Sequence, residues 1–127
     1  CDWNLLLDQN GGPYHNRTQK TEGDLFENKE DGCYAPILYD TDRGELVVTP
    51  IYHYIGHFSQ YVQRGARRVA TTKHSRELYT CAFVNPDGSR VCVVVNTSDK
   101  PQFATLRYHG GCPKNVMKPH SIMTLVF

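Results

Sequence analysis

The side chains that could carry chemistry are few. Glu22, Glu27, Glu30, Glu45 and Glu77 are the glutamates, and hydrolytic chemistry uses such carboxyl groups in positioned pairs. Three of the five fall in one acidic stretch with Asp24 and Asp31. His53 and His57 stand four residues apart, a spacing that brings two rings to one helical face and can hold zinc. A zinc site needs a third ligand, and none is evident. Packing or hydrogen bonding is the favoured role for both histidines, and no metal or cofactor is expected. Cys1, Cys33, Cys81, Cys92 and Cys112 are odd in number and lack C-x-x-C spacing, which disfavours a disulfide framework and predicts free thiols. Asn16-Arg17-Thr18 and Asn96-Thr97-Ser98 match the N-glycosylation pattern. Arg64, Arg67 and Arg68 form a basic patch, read as a solvated face before an anionic-lipid contact.

Composition bounds the classes. In 127 residues, 39% hydrophobic and 21% charged, one domain with a real core or parts of two can form, and the balance is that of a soluble globular chain. The net charge is +1 with both signs interspersed, so there is no clustered basic footprint for nucleic acid. Apolar runs are too short to span a bilayer. The chain opens on Cys1-Asp2-Trp3-Asn4, inside a strand-like run and without a secretory pattern. That opening predicts truncation and leaves localisation unread.

The elements that must position these residues follow from period and punctuation. Asp2–Asp8 carries three consecutive leucines between polar ends, the pattern of a strand buried on both faces. A turn follows at Asn10-Gly11-Gly12-Pro13, where the glycines permit φ > 0 and the proline blocks continuation. Residues 14–32 are polar and aperiodic and read as a long loop. Residues 34–40 form a short strand-like run, and Thr41-Asp42-Arg43-Gly44 a turn. Thr49 as N-cap and Pro50 at the first position open a helix over 50–64, with Ile51, Ile55, Phe58 and Val62 on its apolar face and Gly65 as its stop. The period then changes to alternation, predicting strands at 68–72, 78–84, 91–96, 104–108 and 121–127. Asn85-Pro86-Asp87-Gly88 predicts a type I turn with a glycine bulge. That register pairs Phe83 with Val91, Cys81 with Val93 and Tyr79 with Val95, all expected buried on one face. It sets Cys81 and Cys92 on opposite faces, where they cannot bridge. The first part reads as the closing unit of an α/β layer, the second as a sandwich.

With these elements in place, the chain resembles glycoside hydrolase family 30, the glucosylceramidase family. The resemblance runs in order through D-W-N-L-L-L-D-Q-N-G-G-P at 2–13, C-Y-A-P-I-L-Y-D at 33–40 and T-P-I-Y-H-Y-I-G-H-F-S-Q-Y-V-Q-R-G-A-R-R-V at 49–69. It continues through F-V-N-P-D-G-S-R-V at 83–91, V-V-V-N at 93–96 and P-H-S-I-M-T-L at 119–125. It implies a fold class of α/β plus β: the last βα unit of a (β/α)8 TIM barrel, then the C-terminal part of an attached antiparallel β-sandwich. Residues 1–64 would be strand 8, a long loop and helix 8, with Phe58 buried toward the barrel; residues 65–127 would be the incomplete sandwich. The loop at 14–32 departs from the family pattern.

The resemblance further implies a retaining β-glycosidase acting on β-glucosides or a glycolipid through two carboxylates. In the family one follows an asparagine on the fourth barrel strand and the other lies on the seventh, so both would lie upstream of Cys1. No catalytic residue is assigned here, and the fragment alone is expected to be inactive. Residues alone leave Trp3 open between packing and ligand contact; the resemblance makes it a pocket wall whose indole faces the sugar. Asp2 and Asn4 flank it as hydrogen-bonding residues, and Asn16 stands where the family has a pocket-lining asparagine. The expected partners are the substrate and the upstream barrel, with membrane-surface contact a further option. Eukaryotic members would place it in the lysosome or outside the cell, bacterial ones in the cytoplasm or secreted. The alternative is a free-standing, non-catalytic β-sandwich that binds carbohydrate or protein, which residues 2–64 argue against.

Overall fold

The computed structural model describes residues 4–12, 34–72, 75–107 and 114–127. The chain divides into two compact units, Cys1–Tyr54 and Ile55–Phe127.

In the first unit β1 (Leu6–Asp8) pairs parallel with β2 (Ile37–Asp40), which pairs antiparallel with β3 (Glu45–Val48). Side chains alternate across a strand, so Leu7, Leu38 and Val47 share one face and close with Ala35 into a small core. Of the leucine run expected to be buried on both faces, Leu7 is buried within this chain, whereas Leu5 and Leu6 are exposed in it. Leu6, Tyr39, Leu46 and Val48 stand on the uncovered side of this sheet. The turn 41–44 falls where the sequence puts it, with Gly44 at φ 69°. β3 has no counterpart in the sequence reading.

α1 (Pro50–Ser59) starts at the predicted proline but is shorter than the predicted 50–64. Its entry is pinned by Thr49, which is fully buried and shares its hydroxyl proton between the carbonyls of Ala35 (3.2 Å) and Pro36 (3.0 Å). Its exit has a specific cause. Val62 N–H still reaches the Phe58 carbonyl at 2.8 Å, but Gln63 N–H donates to Asn85 Oδ1 at 3.0 Å. Asn85 Nδ2 in turn donates to the Tyr61 carbonyl at 3.0 Å. A side chain from the hairpin thus takes the bonds that would have continued the helix. Gly65, at φ 85°, lies in the turn beyond rather than at the helix end.

The second unit is built on a four-stranded antiparallel sheet in the order β4 (Arg67–Val69), β5 (Leu78–Val84), β6 (Arg90–Asn96), β9 (Ser121–Val126). The β5–β6 register is the predicted one, Phe83 opposite Val91, Cys81 opposite Val93, Tyr79 opposite Val95. Asn85 N–H meets the Ser89 carbonyl at 2.8 Å, and Gly88 carries the φ of 86° that the bulge needs. Cys81 and Cys92 lie on opposite faces, both free. A two-stranded ribbon, β7 (Gln102–Thr105) with β8 (Lys114–Met117), covers the Cys92 face. Ala104 and Met117 pack there on Cys92, Val94, Leu78, Ala82, Met123 and Leu125, and this is the main core.

Burial on the predicted face needs correction. Val91 and Val93 are buried and Cys81 and Val95 half-buried, but Tyr79 is 56% exposed. The end of α1 covers only the hairpin's turn side: Phe58 meets Phe83 edge to face at 6.3 Å, and His57 Nδ1 shares a 2.8 Å hydrogen bond with Thr124. Tyr79 is four residues from Phe83 along the strand, roughly 13 Å away, beyond that cover. Phe58 itself packs on the sheet and is 37% exposed in this chain.

Candidate functional site

Of the residues expected to meet a sugar, Asn4 falls within the described residues, just ahead of β1. Asn4 is half-buried, and the next residue's carbonyl accepts from Ile37 N–H at 3.1 Å, which ties this lead-in to β2. Asp2, Trp3 and Asn16 lie outside the described residues.

Beyond β1 the chain makes the turn that Asn10-Gly11-Gly12-Pro13 predicts, and polar side chains hold it. Asp8 Oδ1 accepts from the N–H groups of Asn10 and Gly12, both at 2.8 Å, and Gly11 takes a φ of 77°. Parallel pairing puts the end of β2 beside it, where Asp40 repeats the device: its Oδ1 accepts from Asp42 N–H (3.0 Å) and Arg43 N–H (3.1 Å). Gln9 joins the two turns. Its Oε1 accepts from Thr41 N–H at 3.0 Å, and its Nε2 donates to Thr41 Oγ1 at 2.8 Å. The signal for this lattice was present as Asp8-Gln9-Asn10-Gly11 and Asp40-Thr41-Asp42, short polar residues suited to bonding the backbone two residues on. Both aspartates are occupied in holding turns.

The remaining carboxyl groups are dispersed. Glu45 is exposed at the start of β3. Glu77 stands before β5 and accepts from Gln102 Nε2 at 2.5 Å. Glu22, Glu27 and Glu30 fall outside the described residues. His57 is engaged by Thr124, and His53 lies edge-on to Tyr52 at 5.6 Å. Among the described residues no three His, Cys, Asp or Glu side chains gather as a metal would require.

Asn96, one of the two glycosylation-pattern asparagines, is fully buried. Its Nδ2 donates to the carbonyls of Lys100 (2.9 Å) and Lys118 (2.8 Å), and its Oδ1 accepts from Ser98 N–H at 3.0 Å. The amide nitrogen that would carry a glycan is a structural tie. Asn16 lies outside the described residues. Near the hairpin turn, the Ser89 hydroxyl and N–H, then the Gln63 amide, hold the exposed Asp87 carboxyl below its ordinary value. Burial, with Cys81 adding to it, pushes the Cys92 thiol up, so it stays protonated at neutral pH.

Residues 65–125 match the glycosyl hydrolase family 30 beta sandwich domain. The chain is 36% identical over 100 residues to lysosomal acid glucosylceramidase of Mus musculus, covering 78% of this chain and 17% of that protein. The chain belongs to glycoside hydrolase family 30. Solved structures agree with that placement. SrfJ from Salmonella typhimurium superposes with a TM-score of 0.82 at 34% identity, over 98% of this chain and 25% of that one. An endo-beta1,6-glucanase superposes with a TM-score of 0.73 at 26% identity, over 96% of this chain and 25% of that one. The chain thus spans about a quarter or less of the family 30 proteins it matches, and the matched family domain is the sandwich built on β4–β9.

Proposed function

We propose that this chain is the C-terminal part of a retaining β-glycosidase of the glucosylceramidase type, which cleaves β-glucosidic bonds by double displacement. The observation that carries the reading is the 36% identity to a glucosylceramidase across 78% of the chain. One carboxylate attacks the anomeric carbon while an acid protonates the leaving oxygen; the same acid, now a base, then activates water against the glycosyl-enzyme. Both carboxylates lie upstream of Cys1. The chain's own contribution is the last barrel strand and helix, the sandwich, and one wall of the pocket. Trp3 packs its indole on the apolar face of the pyranose, Asp2 and Asn4 orient it by hydrogen bonds, and Asn16 lines the same pocket. The exposed Leu6, Tyr39, Leu46 and Val48 face is where the upstream part of the protein packs.

The test is Trp3 in the full-length enzyme. Trp3→Ala should lower kcat/KM on an aryl β-glucoside by a factor on the order of 10–100, with Trp3→Phe recovering part of it. A Trp3→Ala enzyme that is several degrees less stable but has normal kcat/KM would remove Trp3 from the site.

A further inference from the structure

An asparagine can react with the backbone that follows it when the next residue's amide nitrogen reaches the side-chain carbonyl carbon. A following glycine leaves that approach open, a β-branched residue crowds it, and a proline has no N–H to give. Of the asparagines in this sequence, Asn10 alone precedes a glycine.

The structure separates Asn10 from the other described asparagines in the same way. Asn85 is buried and precedes Pro86. Asn96 is fully buried, its Nδ2 held by two carbonyls, and it precedes Thr97. Asn115 lies in β8 before Val116 with its Nδ2 buried, and Asn4 is half-buried before Leu5. Asn10 is exposed in this chain, and Gly11 takes a φ of 77° with a second glycine after it. Asp87-Gly88 is the other acid-or-amide pair with glycine among the described residues, and charge guards it. The Ser89 hydroxyl, then Ser89 N–H and the Gln63 amide, favour the Asp87 carboxylate, a poor target for a nitrogen nucleophile.

We infer that Asn10 is a site of spontaneous deamidation, by ring closure onto the Gly11 nitrogen, and that its conversion opens the turn at 8–12. The Gly11 nitrogen gives up its proton and attacks Asn10 Cγ. The new C–N bond forms as the bond from Cγ to Nδ2 breaks, and Nδ2 leaves as ammonia with a proton returned from solvent. Water then opens the cyclic imide. Attack at Cγ gives aspartate; attack at the main-chain carbonyl gives isoaspartate, whose backbone runs through Cβ.

The turn sets both the rate and the consequence. Gly11 N–H donates to the Asp8 carbonyl at 3.0 Å, so local opening must free the attacking nitrogen. Asn10 N–H and Gly12 N–H both donate to Asp8 Oδ1 at 2.8 Å. Isoaspartate inserts a main-chain carbon between these two donors, so one oxygen no longer serves both. Its carboxylate also repels that of Asp8.

The full-length protein, incubated folded at mildly alkaline pH, should be followed by peptide mass mapping and an isoaspartate-specific methyl-transfer assay. Asn10 should convert severalfold faster than Asn4, Asn85, Asn96 or Asn115, and faster as pH rises. Asn10→Gln, whose longer side chain disfavours ring closure, should stay amidated at this position. Before incubation the two proteins should melt alike; after it, wild type should melt lower than Asn10→Gln. An Asn10 that stays amidated in the folded protein but converts once urea unfolds it would overturn the inference. Earlier conversion at Asn96 or Asn115, or equal melting of the two incubated proteins, would overturn it too. Mass and melting are read without turnover, so failure of the hydrolase reading and failure of this one are told apart.

Discussion

Asn85 shows how much one residue can decide in this chain. It is buried, and its amide bonds Gln63 N–H, the Tyr61 carbonyl and Ser89 Oγ at 2.9–3.0 Å. Each such bond contributes about 1 kcal/mol, and unpaired buried partners cost more. Asn85→Ala in the full-length protein should therefore cost about 2–4 kcal/mol in denaturant unfolding; a change near zero would mean the helix exit is held by other contacts. Asp87, beside it, gives a pH signature. Its carboxyl is held below the ordinary 3.8 by the Ser89 hydroxyl, then by Ser89 N–H and the Gln63 amide. A depressed folded value means the stabilisation is present above the unfolded value and is lost as pH falls through the folded one. The stability difference between wild type and Asp87→Asn should accordingly be constant at neutral pH and shrink in acid below 3.8. A difference that persists unchanged into that acid range would contradict the cause given. The sequence marked Asn85 and Asp87 as turn residues but could not show that both also bond Gln63, just past the end of α1.

At the scale of elements, the β5–β6 hairpin was legible because two independent constraints agree on one register. The Asn85–Gly88 turn fixes the loop, and alternation fixes the faces. β3 and β8 were not legible, because Glu45–Val48 and Lys114–Met117 are four residues each and gain their structure from a partner strand. Missing β8 also meant missing the ribbon that makes Cys92 and Val94 the better-covered face. The helix start was readable from Thr49-Pro50, but its end and its contact with Phe83 were not. Phe58 rests edge-on against Phe83 and stays partly exposed. Phe58→Ala should then cost about 1–2 kcal/mol, an aromatic pair plus partial burial, rather than the roughly 3–5 kcal/mol of a fully buried phenylalanine. A loss at the larger figure in the full-length enzyme would mean that the upstream part of the protein closes over this side chain.

For the whole molecule, family and sandwich were readable because motifs along the chain keep their order, whereas the proposed pocket residues rest on the resemblance alone. A sugar pocket at the mouth of a barrel is assembled from several strand ends, and this chain spans about a quarter of the family 30 structures it matches. Asn4 is half-buried ahead of β1, and the pocket role proposed for it is read in the full-length enzyme. The central claim is that this chain supports a retaining glycosidase whose two carboxylates lie upstream of it. Its most direct test is to trap the glycosyl-enzyme of the full-length protein with a 2-deoxy-2-fluoro β-glucoside and map the labelled peptide. The account predicts one labelled glutamate upstream of Cys1. A label on Glu22, Glu27, Glu30, Glu45 or Glu77, or hydrolysis with inverted stereochemistry and no covalent intermediate, would contradict it.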